Sequence, residues 1–279
     1  MKQLLEICAS LVVAMLAIAS CTTKNAATVA DNAKALAPFD SAGVMSHGAM
    51  IQGNPSEKRI ALVFTADSLY NGADTIVSAM REACIKGSFF FTGYLYKDHP
   101  ELIKRLKDEG HYLGTHSYGH LLYATWEDRD SMLVSKEEFV ADMDRAFEVM
   151  QKCGISKADA PYYIPPYEWY NDTISAWSEE IGLRVINFTP GTGSNADYTV
   201  PSMGKGYAPS ERIYQKIIKC EEEKSLCGHF MLIHFGVWEE RPDKFFNQLP
   251  QLIAELKQRG YTFVTVPEMM GYQTENKKP

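Results

Sequence analysis

Residues 88–120 read SFFFTGYLYKDHPELIKRLKDEGHYLGTHSYGH, and the order of patterns in this stretch decides the fold. An apolar run from Ser88 to Thr92 predicts a buried strand, and apolar residues at helical spacing from Pro100 to Glu109 predict a helix. Gly110 ends that helix, and residues 111–115 predict a second strand. A strand, a helix and a strand in this order are typical of a βαβ unit with two parallel strands.

The same alternation extends in both directions from this unit. Further strands are predicted at residues 60–64, 162–164, 183–187, 230–234 and 261–266. Further helices are predicted at residues 73–86, 136–152, 173–181, 211–221 and 245–259. About seven strands joined by helices predict an α/β protein. We expect a distorted (β/α)7-type barrel rather than an open doubly wound sheet, two folds that periodicity alone does not separate.

The first twenty residues have the layout of a secretory signal peptide, with Lys2 followed by an apolar run at residues 11–19. That run is too short to span a bilayer as a permanent helix. Residues 18–21, Ile-Ala-Ser-Cys, resemble a bacterial lipobox in which Cys21 becomes the lipidated first residue, although an ordinary signal peptide before a chance cysteine is the alternative. We expect an exported lipoprotein, periplasmic or associated with the outer membrane, that its lipid holds at a membrane.

The rest of the chain is long enough for one large domain. We expect residues 21–47 to form a lipid-anchored tether, because this segment begins with a stretch rich in Ala, Asn, Asp and Lys. Residues 48–272 are expected to form a single catalytic domain and residues 273–279 a short tail. The formal net charge of −7 disfavours nucleic acid as a partner, because phosphates are bound by basic surfaces.

The cysteines of the predicted domain offer two interpretations. Cys220 and Cys227 are close enough in sequence to form a short-loop disulfide in an oxidising compartment, and buried free thiols are the other interpretation. No Cys-x-x-Cys pair or zinc-ribbon spacing occurs, so the cysteines are poor candidates for metal ligands.

Polar side chains follow several predicted strands, at the ends that converge in a parallel α/β sheet. Asp67 follows the first strand, His116 and His120 follow the third, Glu168 follows the fourth, and His234 ends the sixth. Two imidazoles one helical turn apart can bind one metal ion, although histidine pairs at this spacing also occur in ordinary packing. These residues are therefore expected to share one site despite their separation in sequence.

In this order, the motifs resemble the polysaccharide deacetylases of carbohydrate esterase family four, which carry the NodB-homology domain. The segment His116-Ser-Tyr-Gly-His120 matches the family's His-Ser/Thr-x-x-His metal motif. Leu232-Ile-His234 matches the Leu-x-His motif that supplies the catalytic acid. The resemblance covers about residues 48–271 and implies a metal-dependent barrel enzyme that removes acetyl groups from N-acetylated sugars.

Two motifs depart from the family pattern. The family has Thr-Phe-Asp-Asp-Gly, with the first Asp as general base and the second as metal ligand, whereas residues 64–68 here read Phe-Thr-Ala-Asp-Ser. We align Asp67 with the metal ligand and Ala66 with the base, because matching Phe to Phe puts Asp67 one residue late and requires a bulge. Ile164 replaces the arginine of the Arg-x-Pro-Tyr motif. Since that arginine holds the base, the joint loss leaves no buried charge unpaired.

On this alignment the resemblance implies a metal site made of Asp67, His116 and His120, with open positions for water and substrate. Two imidazoles and one carboxylate suit Zn2+ best, with Co2+ or Ni2+ as alternatives. A turn residue with no ligand role is the alternative interpretation of Asp67.

The acid and the base follow from the same resemblance. His234 is expected to protonate the leaving amine, and a satisfied core histidine is the alternative. Glu168 is the candidate replacement for the missing base or an orienter of water, and a solvated surface glutamate is the alternative. Asp197 stands where the family often carries an Asp that orients the acidic histidine, although an Asp in such a loop is commonly a turn former.

Aromatic residues near the third motif are candidates for sugar binding. We expect Tyr167, Trp169 and Tyr170 to bind substrate, and Trp238 is a further candidate, because aromatic rings stack on sugar faces. Some of them are equally explained as packing residues. The leading hypothesis is a metal-dependent hydrolase that removes acetyl groups from an N-acetylated, possibly O-acetylated, glycan. The alternatives are a non-catalytic carbohydrate-binding protein on the same fold and a hydrolase of another C–N amide bond.

Overall fold

The computed structural model describes residues 39–271. The predicted signal peptide, Cys21, most of the predicted tether and the tail at 273–279 lie outside the described residues. Between residues 39 and 271, no helix combines the length and the apolar character needed to cross a membrane.

One curled, mixed sheet organises this part of the chain. Its nine strands within the described residues follow the spatial order β1-β2-β8-β3-β4-β5-β6-β7, and β9 pairs with the start of β3. The strands from β8 to β7 are parallel, whereas β2 runs antiparallel to both β1 and β8. The strand bounds are β1 Val44–Ser46, β2 Ala49–Gln52, β3 Arg59–Ala66, β4 Ser88–Phe91, β5 Tyr112–Thr115, β6 Tyr162–Tyr163, β7 Arg184–Val185, β8 His229–His234 and β9 Thr262–Val264.

Helices connect the parallel strands, as the sequence pattern predicts. The longest, Lys136–Lys152, has the predicted bounds because Ser135 and Glu138 form a capping box at its start. The α-helices in the described chain are α1 Ala73–Glu82, α2 Gly93–Asp98, α3 Pro100–Asp108, α4 Lys136–Lys152, α5 Asp172–Glu180, α6 Ser210–Lys224, α7 Leu249–Gln258 and α8 Val266–Met269. Short 3-10 turns cover Pro166–Glu168, Ser194–Tyr198, Pro201–Gly206 and Phe245–Gln248.

The sheet buries a core on each of its faces. Along β3, Leu62 and Phe64 pack outward against the helices, while Ala61 and Val63 belong to an inner cluster. This alternation is the period of two expected for a strand that is covered on both faces. A bridge between Met50 and Ile186 links β2 to the far end of the sheet, next to β7. The predicted α/β barrel is confirmed in the distorted form of a curled, mixed sheet.

The N-terminal hairpin β1–β2 was not predicted, and it changes the domain boundary. His47 and Gly48 both have positive φ, which suits a two-residue hairpin turn. The expected boundary at residue 48 falls within this turn, so residues 44–46 of the expected tether belong to the sheet. Two short helices, α2 and α8, were also missed.

Candidate active site

A cavity of about 770 Å³ opens at the carboxyl ends of the parallel strands. The paired registers explain its position, because Thr65 of β3 lies beside His234 of β8, and Ala66 lies beside Phe91 of β4. The loops that follow β3, β5 and β6 and the end of β8, where the polar candidates lie, therefore all line this cavity. The predicted titratable residues that line the cavity are Asp67, His116, His120, Glu168 and His234, and the predicted aromatic residues that line it are Tyr167, Trp169, Tyr170 and Trp238.

The two histidines lie on a loop and not on a helical turn. The segment from His116 to His120 has no helical hydrogen bonds, and both Ser117 and His120 have positive φ. The expectation of a helical i, i+4 pair is therefore wrong about the backbone, although the imidazoles still meet. Asp142 of α4 holds the loop in this shape, because its buried carboxylate accepts hydrogen bonds from the N–H groups of Tyr118 and Gly119 at 2.8 and 2.9 Å.

The imidazole pair has the geometry of two ligands to one metal ion. The Nε2 atoms of His116 and His120 are 3.2 Å apart, and two nitrogens on a tetrahedral zinc lie about 3.3 Å apart. Nδ1 of His116 donates to the carbonyl of Ile164 at 2.8 Å, which leaves Nε2 as a free electron-pair donor. Burial lowers the pKa of both imidazoles. The charges of His120 and His234 lower the pKa of His116 further, whereas the charge of Asp67 opposes the shift of His120. The neutral form that a metal ligand needs is therefore favoured in both rings.

Asp67 does not join these two imidazoles. No group of three or more His, Cys, Asp or Glu side chains in residues 39–271 is arranged to hold a metal ion. Strand β3 pairs with β4, β8 and β9 without a register shift as far as Ala66, and Asp67 follows it with an exposed side chain. The alignment that placed Asp67 on the ligand position therefore lacks structural support, because a regular strand leaves Asp67 one residue late.

Thr65, near the end of β3, lines the cavity although the sequence did not mark it as a candidate. Its side chain is 1% exposed, and its hydroxyl has no hydrogen-bond partner among the described residues. A buried hydroxyl without a partner loses hydration without compensation. It lines the cavity, so a ligand or water bound there would satisfy it.

The structure directs Glu168 into the cavity by an unusual turn. Tyr167 and Glu168 have φ of 59° and 54°, and two successive left-handed residues other than glycine are rare. The carbonyl of Glu168 accepts a hydrogen bond from Asn187 at 2.8 Å, which holds the turn. Desolvation raises the pKa of Glu168 to about 7, while the nearby charge of His234 lowers it and that of Asp197 raises it. This environment differs from that of a solvated surface glutamate.

His234 and Asp197 form a hydrogen-bonded pair. Asp197 is fully buried, and its carboxylate contacts Nδ1 of His234 at 2.6 Å and the N–H of His234 at 2.9 Å. Burial by itself lowers the pKa of His234, but the charge and hydrogen bond of Asp197 and the charge of Glu168 outweigh it, and the net result is a raised pKa. The imidazolium form is thereby favoured, and the carboxylate sets the ring orientation.

The aromatic candidates have different surroundings. Tyr167 is 45% exposed, and its ring lies 4.4 Å from that of His120, whereas Trp169 is half-buried on the cavity wall. Tyr170 is 2% exposed and donates its hydroxyl to the carbonyl of Ser46, so it serves packing more than contact with a sugar. Trp238 is exposed on the cavity rim. Trp126 and Tyr198, which the sequence analysis did not single out, are also exposed rim residues.

The cysteines of the described chain are free thiols. Cys220 and Cys227 form no disulfide, which agrees with the second of the two interpretations. Neither residue lines the cavity.

Parallel strands linked by helices in a curled sheet, with titratable side chains at their carboxyl ends, place this protein in the class of (β/α)-barrel proteins. Residues 52–186 match the family model for polysaccharide deacetylase. The peptidoglycan-N-acetylmuramic acid deacetylase PdaA of Bacillus subtilis is 27% identical over 239 residues, which are 85% of this chain and 80% of the relative. A peptidoglycan-N-acetylglucosamine deacetylase of Bacillus cereus is 24% identical over 218 residues, 78% of this chain and 91% of the relative.

The solved structures agree with these relatives. The structure of Bacillus subtilis PdaA, a family 4 carbohydrate esterase, superposes with a TM-score of 0.62 at 23% identity, covering 81% of this chain and 86% of that one. The chain belongs to the polysaccharide deacetylase family, as a divergent member with altered first and third motifs.

Proposed function

We propose that this protein is a metal-dependent hydrolase that removes acetyl groups from an N-acetylated glycan. The observation that carries the proposal is the convergence of a neutral imidazole pair, a glutamate of pKa about 7 and a His–Asp pair on one cavity. Acid–base catalysis near neutral pH commonly uses two titratable groups whose environments shift their pKa values, so that one accepts a proton and the other donates one.

The residues of the chain divide the proton transfers between them. Glu168, whose pKa burial raises to about 7, accepts a proton from the attacking water. His234, whose pKa the charge and hydrogen bond of Asp197 raise against the effect of burial, donates a proton to the leaving amine. The two groups interact across the cavity, since each influences the pKa of the other. Exposed rings on the rim, Tyr167 and Trp238 among them, provide flat apolar faces for sugar rings.

His116 and His120 would hold the metal ion, for which Zn2+ is the first choice and Co2+ or Ni2+ are alternatives. A bound divalent ion supplies Lewis-acid polarisation of the acetyl carbonyl. The imidazole pair fits this role, but catalytic zinc sites usually have three protein ligands. The described residues supply two, so the third position is open to water, to substrate or to Asp67 after local movement.

The shortfall of one ligand favours a second candidate function, a carbohydrate-binding protein that has lost turnover. Metal analysis of the purified protein, followed by acetate release from a panel of N- and O-acetylated glycans, separates the two. Stoichiometric metal with acetate release supports the hydrolase. Glycan binding with neither metal nor acetate release supports the binding protein. The same panel distinguishes N-acetyl from O-acetyl substrates and detects hydrolysis of other amides.

The glycan would be met outside the cytoplasm, because we also propose that the chain is exported and anchored by a lipid on Cys21. The lipobox-like residues 18–21 support this proposal. Cys21→Ser is expected to move the protein from the membrane fraction to the soluble fraction. An unchanged distribution between the fractions contradicts the lipid anchor.

A further inference from the structure

The cavity holds one fixed positive charge that the proposed chemistry does not use. Arg129 is the only Lys or Arg among the described residues that line the cavity, and it belongs to the loop between β5 and α4. The proposed steps assign roles to imidazoles and carboxylates and leave this guanidinium without one. In a chain with a net charge of −7, a cation on a cavity wall calls for a specific explanation.

Packing holds the Arg129 side chain in one place. Its guanidinium carbon lies 3.7 Å from the centre of the Trp169 ring, and Nη1 donates a hydrogen bond to the carbonyl of Tyr170. The backbone carbonyl of Arg129 accepts a hydrogen bond from Asn171 at 2.8 Å. A guanidinium stacked on an indole is preorganised, so a ligand meets little entropic cost in ordering it.

No carboxylate of the described chain neutralises this cation. The ion pairs of residues 39–271 do not include Arg129, and its guanidinium contacts are the Tyr170 carbonyl and the rings of Trp169 and Tyr170. The acidic residues beside it in sequence, Glu127, Asp128 and Asp130, are exposed to solvent. Several donors of the guanidinium fork are therefore available to a partner in the cavity.

The surroundings of Arg129 indicate the kind of partner. Trp126 is 54% exposed, and its ring lies 5.6 Å from both the Tyr167 ring and the Trp169 ring. We call Trp126, Tyr167, Trp169 and Arg129 the aromatic–arginine patch. It adjoins the imidazole pair, because the Tyr167 ring also contacts His120. The patch thus combines stacking faces for a sugar with a planar cation suited to a carboxylate.

We propose that the aromatic–arginine patch is a subsite for a sugar unit that carries a carboxylate, with Arg129 as the group that recognises the anion. The proposal rests on the proposed deacetylase function and names its substrate class as an acidic glycan. A neutral oligosaccharide would stack on the same rings but would leave the guanidinium without an anionic partner. Discrimination between the two glycans is therefore expected to depend on the charge of Arg129.

The test compares two forms of one ligand. An oligosaccharide of alternating N-acetylglucosamine and N-acetylmuramic acid, with free lactyl carboxylates, is used beside the same oligosaccharide after methyl esterification. Binding by calorimetry and acetate release are both measured for the wild type, Arg129→Gln and Arg129→Lys. Arg81→Gln serves as the control, because Arg81 forms an exposed ion pair with Glu109 on the outer helices, away from the cavity.

We expect the wild type to prefer the free acid by about 10- to 100-fold, the range for hydrogen bonds to charged groups. Arg129→Gln is expected to abolish that preference through a rise in KM or Kd for the acid alone, Arg129→Lys to keep part of it, and Arg81→Gln to keep all of it. Equal affinity of the wild type for both forms, or an equal loss on both in Arg129→Gln, would overturn the subsite. Absence of acetate release refutes the deacetylase function alone, because the binding data still decide the subsite.

Discussion

Two strand ends on either side of β4, those of β5 and β3, differ in how far they match the family pattern. After β5, the His116–His120 loop keeps both histidines, and Asp142 holds it from behind. At the end of β3, Thr65 and Ala66 leave no carboxylate on the strand, and Asp67 comes late and is exposed. Besides Asp197, the carboxylate whose charge raises the pKa of His234 is that of Glu168, on the turn after β6. On the proposed function, the histidine loop after β5 would keep its metal-binding role, and Glu168 at the end of another strand would serve as the base.

The largest expected effect is on the β5 side. His120→Ala removes one of the two imidazoles, so we expect loss of stoichiometric metal and a fall in acetate release of about 10³-fold or more, since Lewis-acid stabilisation amounts to several kcal/mol. Metal analysis and turnover are measured on the same preparation, with circular dichroism as the control for folding. Full metal content in this variant would refute the imidazole site.

The next effect tests whether the base has moved. Glu168→Gln is expected to lower kcat by about 10²-fold while leaving metal content unchanged, because an amide cannot accept the proton. Glu179→Gln, on the solvent side of α5, is the matched control. Turnover equal to the wild type in Glu168→Gln would return Glu168 to the surface-residue interpretation.

The pH dependence provides a second view of the same residue. With a pKa of about 7, Glu168 is expected to make kcat/KM rise as the pH increases through about 7, and Glu168→Gln to lose this inflection. Because this pKa is raised above its ordinary value of 4.5, the stability linked to Glu168 is fully present below about pH 4.5 and is lost as the pH rises through 7. Chemical denaturation of both proteins at pH 4.5 and 8 measures that difference, and identical pH profiles would exclude the raised pKa.

A smaller effect on metal affinity is expected from Asp142, which holds the His116–His120 loop in its shape. Asp142→Ala leaves the N–H groups of Tyr118 and Gly119 without their acceptor, which costs about 1–3 kcal/mol and weakens metal affinity by about 10-fold. Asp144→Ala, an exposed position on the same helix, is the control. If both variants titrate with metal alike, the loop holds its shape without Asp142.

The smallest effect is expected at the altered strand end. Asp67→Ala should change metal affinity by less than about 10-fold, because Asp67 is exposed and forms no three-residue metal-binding group with the two imidazoles in the described residues. Direct titration of the variant beside His120→Ala measures the contrast. If Asp67→Ala loses metal as completely as His120→Ala, the two strand ends act together and the third ligand is Asp67 after all.

The sequence predicted the elements whose signals are local. Helix α4 has the predicted bounds because a capping box begins it, and β3 is apolar throughout because both of its faces are buried. The hairpin β1–β2 was missed because its strands are short and the first is largely exposed. The strand β7 has two residues, fewer than the pattern predicted, because the next residue, Ile186, bridges to Met50 of β2 instead of continuing the pairing with β6.

The site was predictable where a motif carried it. His116, His120, Glu168 and His234 converge as expected from their places after strands, and Asp197 meets His234. The ligand role of Asp67 stays a prediction, because its alignment depended on a single residue of register and the regular strand pairing puts Asp67 one residue late. Asp142 and Arg129 were missed because each is one charged residue in an unremarkable segment, and only the folded chain shows what surrounds it.

The left-handed turn at Tyr167 and Glu168 lowers the thermal stability of the fold while it directs the carboxylate that the proposed turnover needs. Left-handed residues other than glycine cost about 1–3 kcal/mol each, a cost that glycine largely avoids. A library of variants selected for survival at high temperature would accordingly accumulate glycine at these two positions, whereas one selected for turnover would retain the glutamate. The difference in thermal stability between two such lineages would measure how much stability the protein loses by holding the carboxylate of Glu168 in the cavity.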